Sequence, residues 1–321
     1  MTLNIRASNE SDEPDEEKAE EAASATFKLF KNLPNLESLH LFSIPFDDFA
    51  AADWQSFRTT ALFPRLSDLW TLQTPFPQSV VSDLVATSPQ LSQFTVAIHH
   101  RADPIALEGE QINFGGKLRV LNVSELGFMI MLDSSRVLTS SFGGLTELSI
   151  HNTHQGSTRG SVDFFDVVGP TLEKLDISHS SVDYIAVSSA SLLRLSRLSV
   201  CYCPFDSSTL LLNLPPSLSF LRLSDDNDLQ AVLPRWHAKP WLVPTTLKHL
   251  QVDHITKRSS LGMLPKLDKF STNSDVLQML QELVVGAAPF AILEVSLYHE
   301  QEVAAECRRL EVEYRISAKE H

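Results

Sequence analysis

Residues 199–206 read SVCYCPFD, with Cys201 and Cys203 one residue apart and a proline behind them. Paired thiolates at short spacing serve as structural zinc ligands or as a redox couple, so this stretch is the first place to look for chemistry. Histidines are the next candidates: His99 with His100, His151 with His154, and His249 with His254. None forms HExxH, and no cysteine or carboxylate cluster completes a zinc site around them. The run Asp225-Asp226-Asn227-Asp228 has the charge to attract calcium but lacks the alternating ligand positions and central glycine of a calcium loop. GxSxG, GxGxxG and GxxxxGKS/T do not occur. In WHAKPW, Trp236 and Trp241 flank a basic pair and could grip a ligand or cover a loop.

What positions these residues is a repeat. LPNLESLHL (33–41), GKLRVLNV (116–123), GGLTELSI (143–150), GPTLEKLDI (169–177), LLRLSRLSV (192–200), PPSLSFLRL (215–223) and PTTLKHLQV (244–252) share L-x-x-L-x-(L/I/V). Weaker copies are PRLSDLWT (64–71), PQLSQFTV (89–96), PKLDKFST (265–272) and FAILEVSL (290–297). The first apolar positions are 36, 66, 91, 118, 145, 172, 195, 218, 247, 267 and 292, with gaps of 20 to 30 residues. Chance in a leucine-rich chain gives roughly two strict matches, so the seven in register are a true repeat. Spacing of this size belongs to solenoids. Between strands, stretches such as SVVSDLVATS (79–88) and SDVLQMLQELV (274–284) have helical periodicity, and Pro or Gly-Gly marks the turn into the next strand.

The repeat frame answers the cysteine question. LSVCYCPFD (198–206) lies over LHLFSIPFD (39–47) and LWTLQTPFP (69–77), which puts Cys203 where Ile44 and Thr74 stand. That position turns inward just after the strand, whereas Cys201, equivalent to Phe42, is expected to point outward. Such a pair is unsuited to chelating one ion. No catalytic residue, metal or cofactor is expected, nor is an enzyme.

Formal net charge is −14, and residues 1–24 hold eight acids against Arg6 and Lys18, leaving −8 on the rest. An acidic body does not draw nucleic acid or anionic lipid through its overall field. No run approaches the roughly 18 apolar residues of a membrane span, and MTLNIRASNE has no apolar signal-peptide core. Neither a nucleic acid nor a membrane is expected as a partner. The expected location is cytoplasmic, nuclear or both. Residues 1–18 are expected to be an acidic disordered tail, and 19–321 one repeat domain of about eleven repeats. A helix at 19–33 would cap its start, and a helix followed by an edge strand at 299–316 would cap its end. The excursions at 99–116 and 151–169 leave room for partner-specific loops.

The pattern resembles the leucine-rich repeat superfamily over about residues 33–316. The irregular repeat lengths, the start LPNLESLHL and the closing AECRRLEVEYRIS are similar to the repeat halves of fungal F-box proteins, here without a recognisable F-box. The resemblance implies an α/β solenoid, a horseshoe with a parallel concave β-sheet and a helical or irregular convex side. It implies a protein partner on the concave face. It also implies a substrate-recognition role in a ubiquitin ligase, with a cullin-ligase adaptor as a further partner where an F-box lies upstream. A free-standing scaffold or adaptor, or a GTPase regulator, is the alternative.

In L-x-x-L-x-L the leucines face the core, so the third, fifth and seventh residues face out. This face puts Phe42, Trp70 and Leu72 in an apolar cluster. It puts Lys174, Arg197 and Arg222 in successive repeats beside Phe220, with His249 and Tyr298 further along. Arginine and aromatic residues are common anchors of protein interfaces, which makes these nine the candidate partner-binding residues.

Overall fold

The computed structural model describes residues 1–6, 32–42, 63–72, 84–98, 113–125, 138–151, 161–178, 191–201, 213–223, 235–236, 239, 242–252, 292–295 and 313–315. The chain forms two compact units, Met1–Val168 and Gly169–His321. In the first, β1 (Thr2–Arg6), β2 (Ser38–Phe42), β3 (Asp68–Leu72), β4 (Gln93–Ile98), β5 (Val120–Glu125) and β6 (Glu147–His151) pair in sequence order, each parallel to the next. Helix α1 (Ser161–Val168) ends this unit. The second unit repeats the arrangement with β7 (Lys174–Ser178), β8 (Arg197–Cys201), β9 (Phe220–Leu223), β10 (His249–Val252), β11 (Ile292–Val295) and β12 (Glu313–Arg315). Parallel strands that pair only with their sequence neighbours make a parallel β-solenoid, built here on the L-x-x-L-x-(L/I/V) repeat.

From β2 to β10 every strand opens two residues after the first leucine of its repeat. A four-residue turn sets that phase. Leu36, Leu66, Leu91, Leu145, Leu172, Leu195, Leu218 and Leu247 each donate their N–H to the carbonyl three residues back. Proline occupies the second position of this turn at 34, 64, 89, 170 and 216, where its fixed φ suits the bend. The turn before β5 is different. Gly115 and Gly116 have φ of 61° and 68°, and Lys117 rather than Leu118 closes the turn. Two successive left-handed residues call for two glycines.

The next hydrogen bonds fix the register. The carbonyl of the residue after the first leucine accepts two backbone N–H groups from the following repeat: Ser67 and Asp68 donate to Glu37, and Ser92 and Gln93 to Ser67. The same pattern recurs at Ser92, Arg119, Glu173, Ser196 and Ser219. Ser67, Ser92, Thr146, Ser196 and Ser219 add a hydroxyl to the same carbonyl. The frequent serine after the first leucine is therefore a sheet-edge clamp.

Inward of the sheet, leucine columns such as Leu36, Leu66, Leu118, Leu145 in the first unit and Leu172, Leu195, Leu218, Leu247 in the second are fully buried. Each contributes about 1.5–3 kcal/mol of apolar burial. The first unit adds a file of aromatic rings. Phe94–Phe114, Phe114–Phe142 and Phe142–Phe164 have centroids 5.8, 5.4 and 5.4 Å apart, and Phe165 meets Phe164 edge-on at 5.6 Å. These spacings suit tilted and edge-to-face ring pairs.

Several expectations need correction. The acidic tail does not begin at residue 1, because Thr2–Arg6 is a strand paired parallel to β2, with Leu3 opposite Leu39 and Ile5 opposite Leu41. Its alternation of apolar and polar residues suits a strand, and the acidic run beyond it connects β1 to β2. The repeat at 267 lies outside the described residues, and among the described strands β10 pairs with β11. β11 also starts two residues earlier than the frame based on Ile292. Leu293 and Val295 lie opposite Leu250 and Val252, continuing the apolar alternation, with Phe290 at the first apolar position. The excursion at 151–169 contains α1, with Phe164, Phe165 and Val168 buried. Residues 84–87 are helical, as the periodicity at 79–88 implies. The expected strand near the end is present as β12. The helices expected at 19–33, at 274–284 and within 299–316 lie outside the described residues, apart from the turn starting at 32.

Two substitutions test this account of the turns. A Cβ on Gly144 would collide with the Gly116 carbonyl and crowd the Arg119 guanidinium, which donates to the Gly144 carbonyl at 2.6 Å. Gly144→Ala should cost about 1–3 kcal/mol in urea unfolding. Gly143 has φ −60°, and a Cβ there would meet only the Ser140 carbonyl oxygen at an ordinary 3.5 Å, so Gly143→Ala should change stability by no more than about 0.5 kcal/mol. Leu193 holds the proline position of its turn and is 62% exposed. Leu193→Pro should raise stability by about 0.4–1 kcal/mol in the same measurement.

Candidate functional site

In the second unit the outward positions of β7 to β10 form two rows. Register places Lys174 opposite Arg197, Arg197 opposite Phe220, and Phe220 opposite His249. One step along the strands, Asp176, Ser199, Arg222 and Gln251 follow in the same way. The alternate residues Leu175, Ile177, Leu198, Leu221 and Leu223 are buried, which turns these rows to the other face.

Arg197 is exposed, and its guanidinium carbon lies 4.5 Å from the centroid of the Phe220 ring. The other neighbour of Phe220 is His249, edge-to-face at 4.7 Å and 67°. A cation over a ring face gains about 0.5–1 kcal/mol at an exposed site. The larger consequence is placement: a long, flexible side chain is held over the Phe220 ring. Phe220, Arg222 and His249 are half-buried, while Lys174 is exposed.

Beside them the face dips. Ser199 is 8% exposed and Cys201 7%, and their side chains are 3.4 Å apart. Cys201 was expected to stand out from the sheet. It occupies that face, in register with Ser178, but is covered. It is a packed floor. Cys203 lies outside the described residues.

In the first unit the corresponding face carries a polar and aromatic cluster. The Ser38 hydroxyl donates to Asp68 Oδ2 at 2.8 Å and is 2.9 Å from His40 Nε2, while Trp70 Nε1 donates to Asp68 Oδ1 at 2.8 Å. The His40 and Trp70 rings stack with centroids 4.9 Å apart and a 34° tilt. Further along, Asn122 donates to the Thr95 hydroxyl at 3.1 Å.

Serine, histidine and aspartate together suggest an activated nucleophile, but the connectivity is wrong for one. Nucleophile activation places imidazole between hydroxyl and carboxylate, with one ring nitrogen on each. Here the hydroxyl gives its single hydrogen directly to the carboxylate. Asp68 Oδ2 approaches His40 at the same Nε2, at 3.5 Å, that meets Ser38. Ser38 therefore takes its second hydrogen bond from His40 Nε2–H. The cluster holds Trp70 and His40 in place and does not prepare Ser38 for attack.

Trp70 was expected in an exposed apolar cluster with Phe42 and Leu72. It is half-buried instead, its indole N–H satisfied by Asp68 and its ring covered by His40. Phe42 and Leu72 are register partners at the ends of β2 and β3. Lys174, Arg197, Phe220, Arg222 and His249 do come together on four adjacent strands. Tyr298 lies outside the described residues, and the corrected register of β11 puts it beyond that strand. Trp236 is completely buried, so it belongs to the core, and Trp241 lies outside the described residues, as do Asp225 to Asp228.

The Ser38–His40–Asp68 arrangement was not singled out from sequence, although its signal was present. Outward residues at the same register position of consecutive repeats are spatial neighbours, and S-x-H above D-x-W is a set of hydrogen-bonding partners. Among the described residues no group of three His, Cys, Asp or Glu side chains could hold a metal ion. Among them, too, no helix is long and apolar enough to cross a membrane.

Asp68→Ala would strand the Trp70 N–H and remove the Ser38 acceptor in a half-buried site. The expected loss is about 1–3 kcal/mol in urea unfolding, with a change in tryptophan emission below the transition. An unchanged midpoint would mean that the network does not support the sheet.

No family model matches the chain, and none of the curated proteins does. Among solved structures it is similar to an internalin (inlF) from Listeria monocytogenes str. 4b F2365, at 12% identity and a TM-score of 0.42, over 91% of this chain and 83% of that one. An internalin C2 from the same organism matches at 18% identity and a TM-score of 0.36, over 60% of this chain and 74% of that one.

Proposed function

We propose that the chain is a protein-binding repeat module that engages its partner on the open face of β7–β10. The observation that carries this reading is the stack of Arg197 on Phe220 on His249. It sets an exposed, oriented cation and an aromatic base on a rigid sheet, the residue types that dominate interface energetics. The sheet is suited to recognition because its side chains hang on strands fixed by register, so little entropy is lost in ordering them. The serine, histidine and aspartate of the first unit are wired for support and favour no catalytic reading.

In the finer form of the proposal, the bound protein is a substrate presented to an F-box type ubiquitin ligase, in the cytoplasm or nucleus. The support for that step is the likeness of the repeats to those of fungal F-box proteins. A cullin-ligase adaptor would be reached through an F-box upstream of the repeats. Without one, the same face serves a scaffold or adaptor.

Affinity purification of the tagged full-length protein, followed by mass spectrometry, tests both levels. Partners recovered with the wild type should be lost with the double variant R197E/R222E, whose unfolding midpoint should match the wild type. Co-recovery of the F-box adaptor and cullin would support the ligase form, and their absence beside other specific partners would leave the scaffold. An identical partner set for wild type and double variant would overturn the assignment of this face.

A further inference from the structure

Resting on that reading, we infer that the segment recognised at β8–β9 is acidic: a stretch of the partner protein whose Asp or Glu carboxylate is taken in the fork of the Arg197 guanidinium. Among the described residues the Arg197 side chain forms no ion pair and sits over the face of Phe220. A guanidinium held over a ring by cation–π attraction keeps the N–H donors of its planar edge for hydrogen bonding. That edge carries parallel N–H donors spaced for the two oxygens of a carboxylate.

The neighbours reinforce the same sign. Lys174 stands opposite Arg197 in register, and Arg222 lies on the adjoining strand one position along. Strands are about 4.8 Å apart, which brings Lys174 and Arg197 within one Debye length, about 8 Å at physiological salt, and leaves Arg222 at about that distance from Arg197. Against them the two rows set one acid, Asp176, which faces Ser199 and borders the site on the β7 side. It repels a carboxylate there and directs it towards Arg197 and Arg222. The rest of the chain is strongly acidic, with a net charge of −14. A local cationic patch on such a body is selective because the overall field turns polyanions away and only short-range contact holds them.

The test is fluorescence anisotropy with the full chain and labelled decaglutamate, its glutamine counterpart and an oligothymidylate of similar length. Decaglutamate should bind in preference to both and weaken as salt rises. R197E should abolish the binding. R197K, which keeps the charge but loses the planar fork, should weaken it about tenfold, the loss expected for one charge-assisted hydrogen bond. F220A, which removes the support of the guanidinium, should weaken it as well. Equal binding of decaglutamate by wild type and R197E, or of decaglutamate and its glutamine counterpart, would overturn the inference. So would preferential binding of the oligothymidylate. Should R197E/R222E lose its partners in the purification while decaglutamate fails to bind wild type, the face would still be the binding surface, and only its acidic specificity would be wrong.

Discussion

The arrangement depends on a carbonyl oxygen that is used twice. In seven of the repeats the residue after the first leucine offers its C=O to two consecutive N–H groups of the next repeat, and often to a hydroxyl as well. A parallel strand cannot slip past such a point without giving up two or three hydrogen bonds at once. Because side chains alternate with a period of two, a slip of one residue would also bury the outward row and expose the leucines. Register and burial therefore enforce each other. The neighbourhood of Arg197, Phe220 and His249 is their by-product: three residues 23 and 29 positions apart in sequence become a single stack.

The same constraint explains how differently the two faces behave. Inside, leucine columns and the phenylalanine file fill a space whose dimensions are set by strand spacing, and large rings tolerate the variable connections around them. Outside, nothing is required of the side chains except solubility, so any departure from plain polar residues asks for a reason. In the first unit that departure is a hydrogen-bonded group that satisfies itself: Asp68 uses both oxygens, and Trp70 and His40 cover each other. In the second, the exposed Arg197 guanidinium is held over Phe220. A self-satisfied cluster supports the sheet, whereas an oriented donor set looks for an acceptor.

Much of this was legible in the sequence because leucine burial and strand alternation leave a direct pattern. The first apolar positions from 36 to 247 locate β2 to β10 to the residue, and the outward rows follow from them. What escaped had physical causes. Thr2–Arg6 is too short to show a repeat, and an acidic run masks its alternation. Trp70 reads as exposed apolar surface only when its N–H is ignored, and Cys201 reads as exposed only when the side chains beside it are ignored. Each miss concerns a property set by the adjacent strand, which a single repeat does not contain.

The most direct measurement of the central claim is hydrogen–deuterium exchange of the full chain with and without a partner recovered by purification, read by peptide mass spectrometry. The account predicts added protection in peptides covering Arg197–Cys201, Phe220–Leu223 and the adjoining loops, with little change in β2–β4. Protection confined to the first unit, or none on β8 and β9, would contradict it.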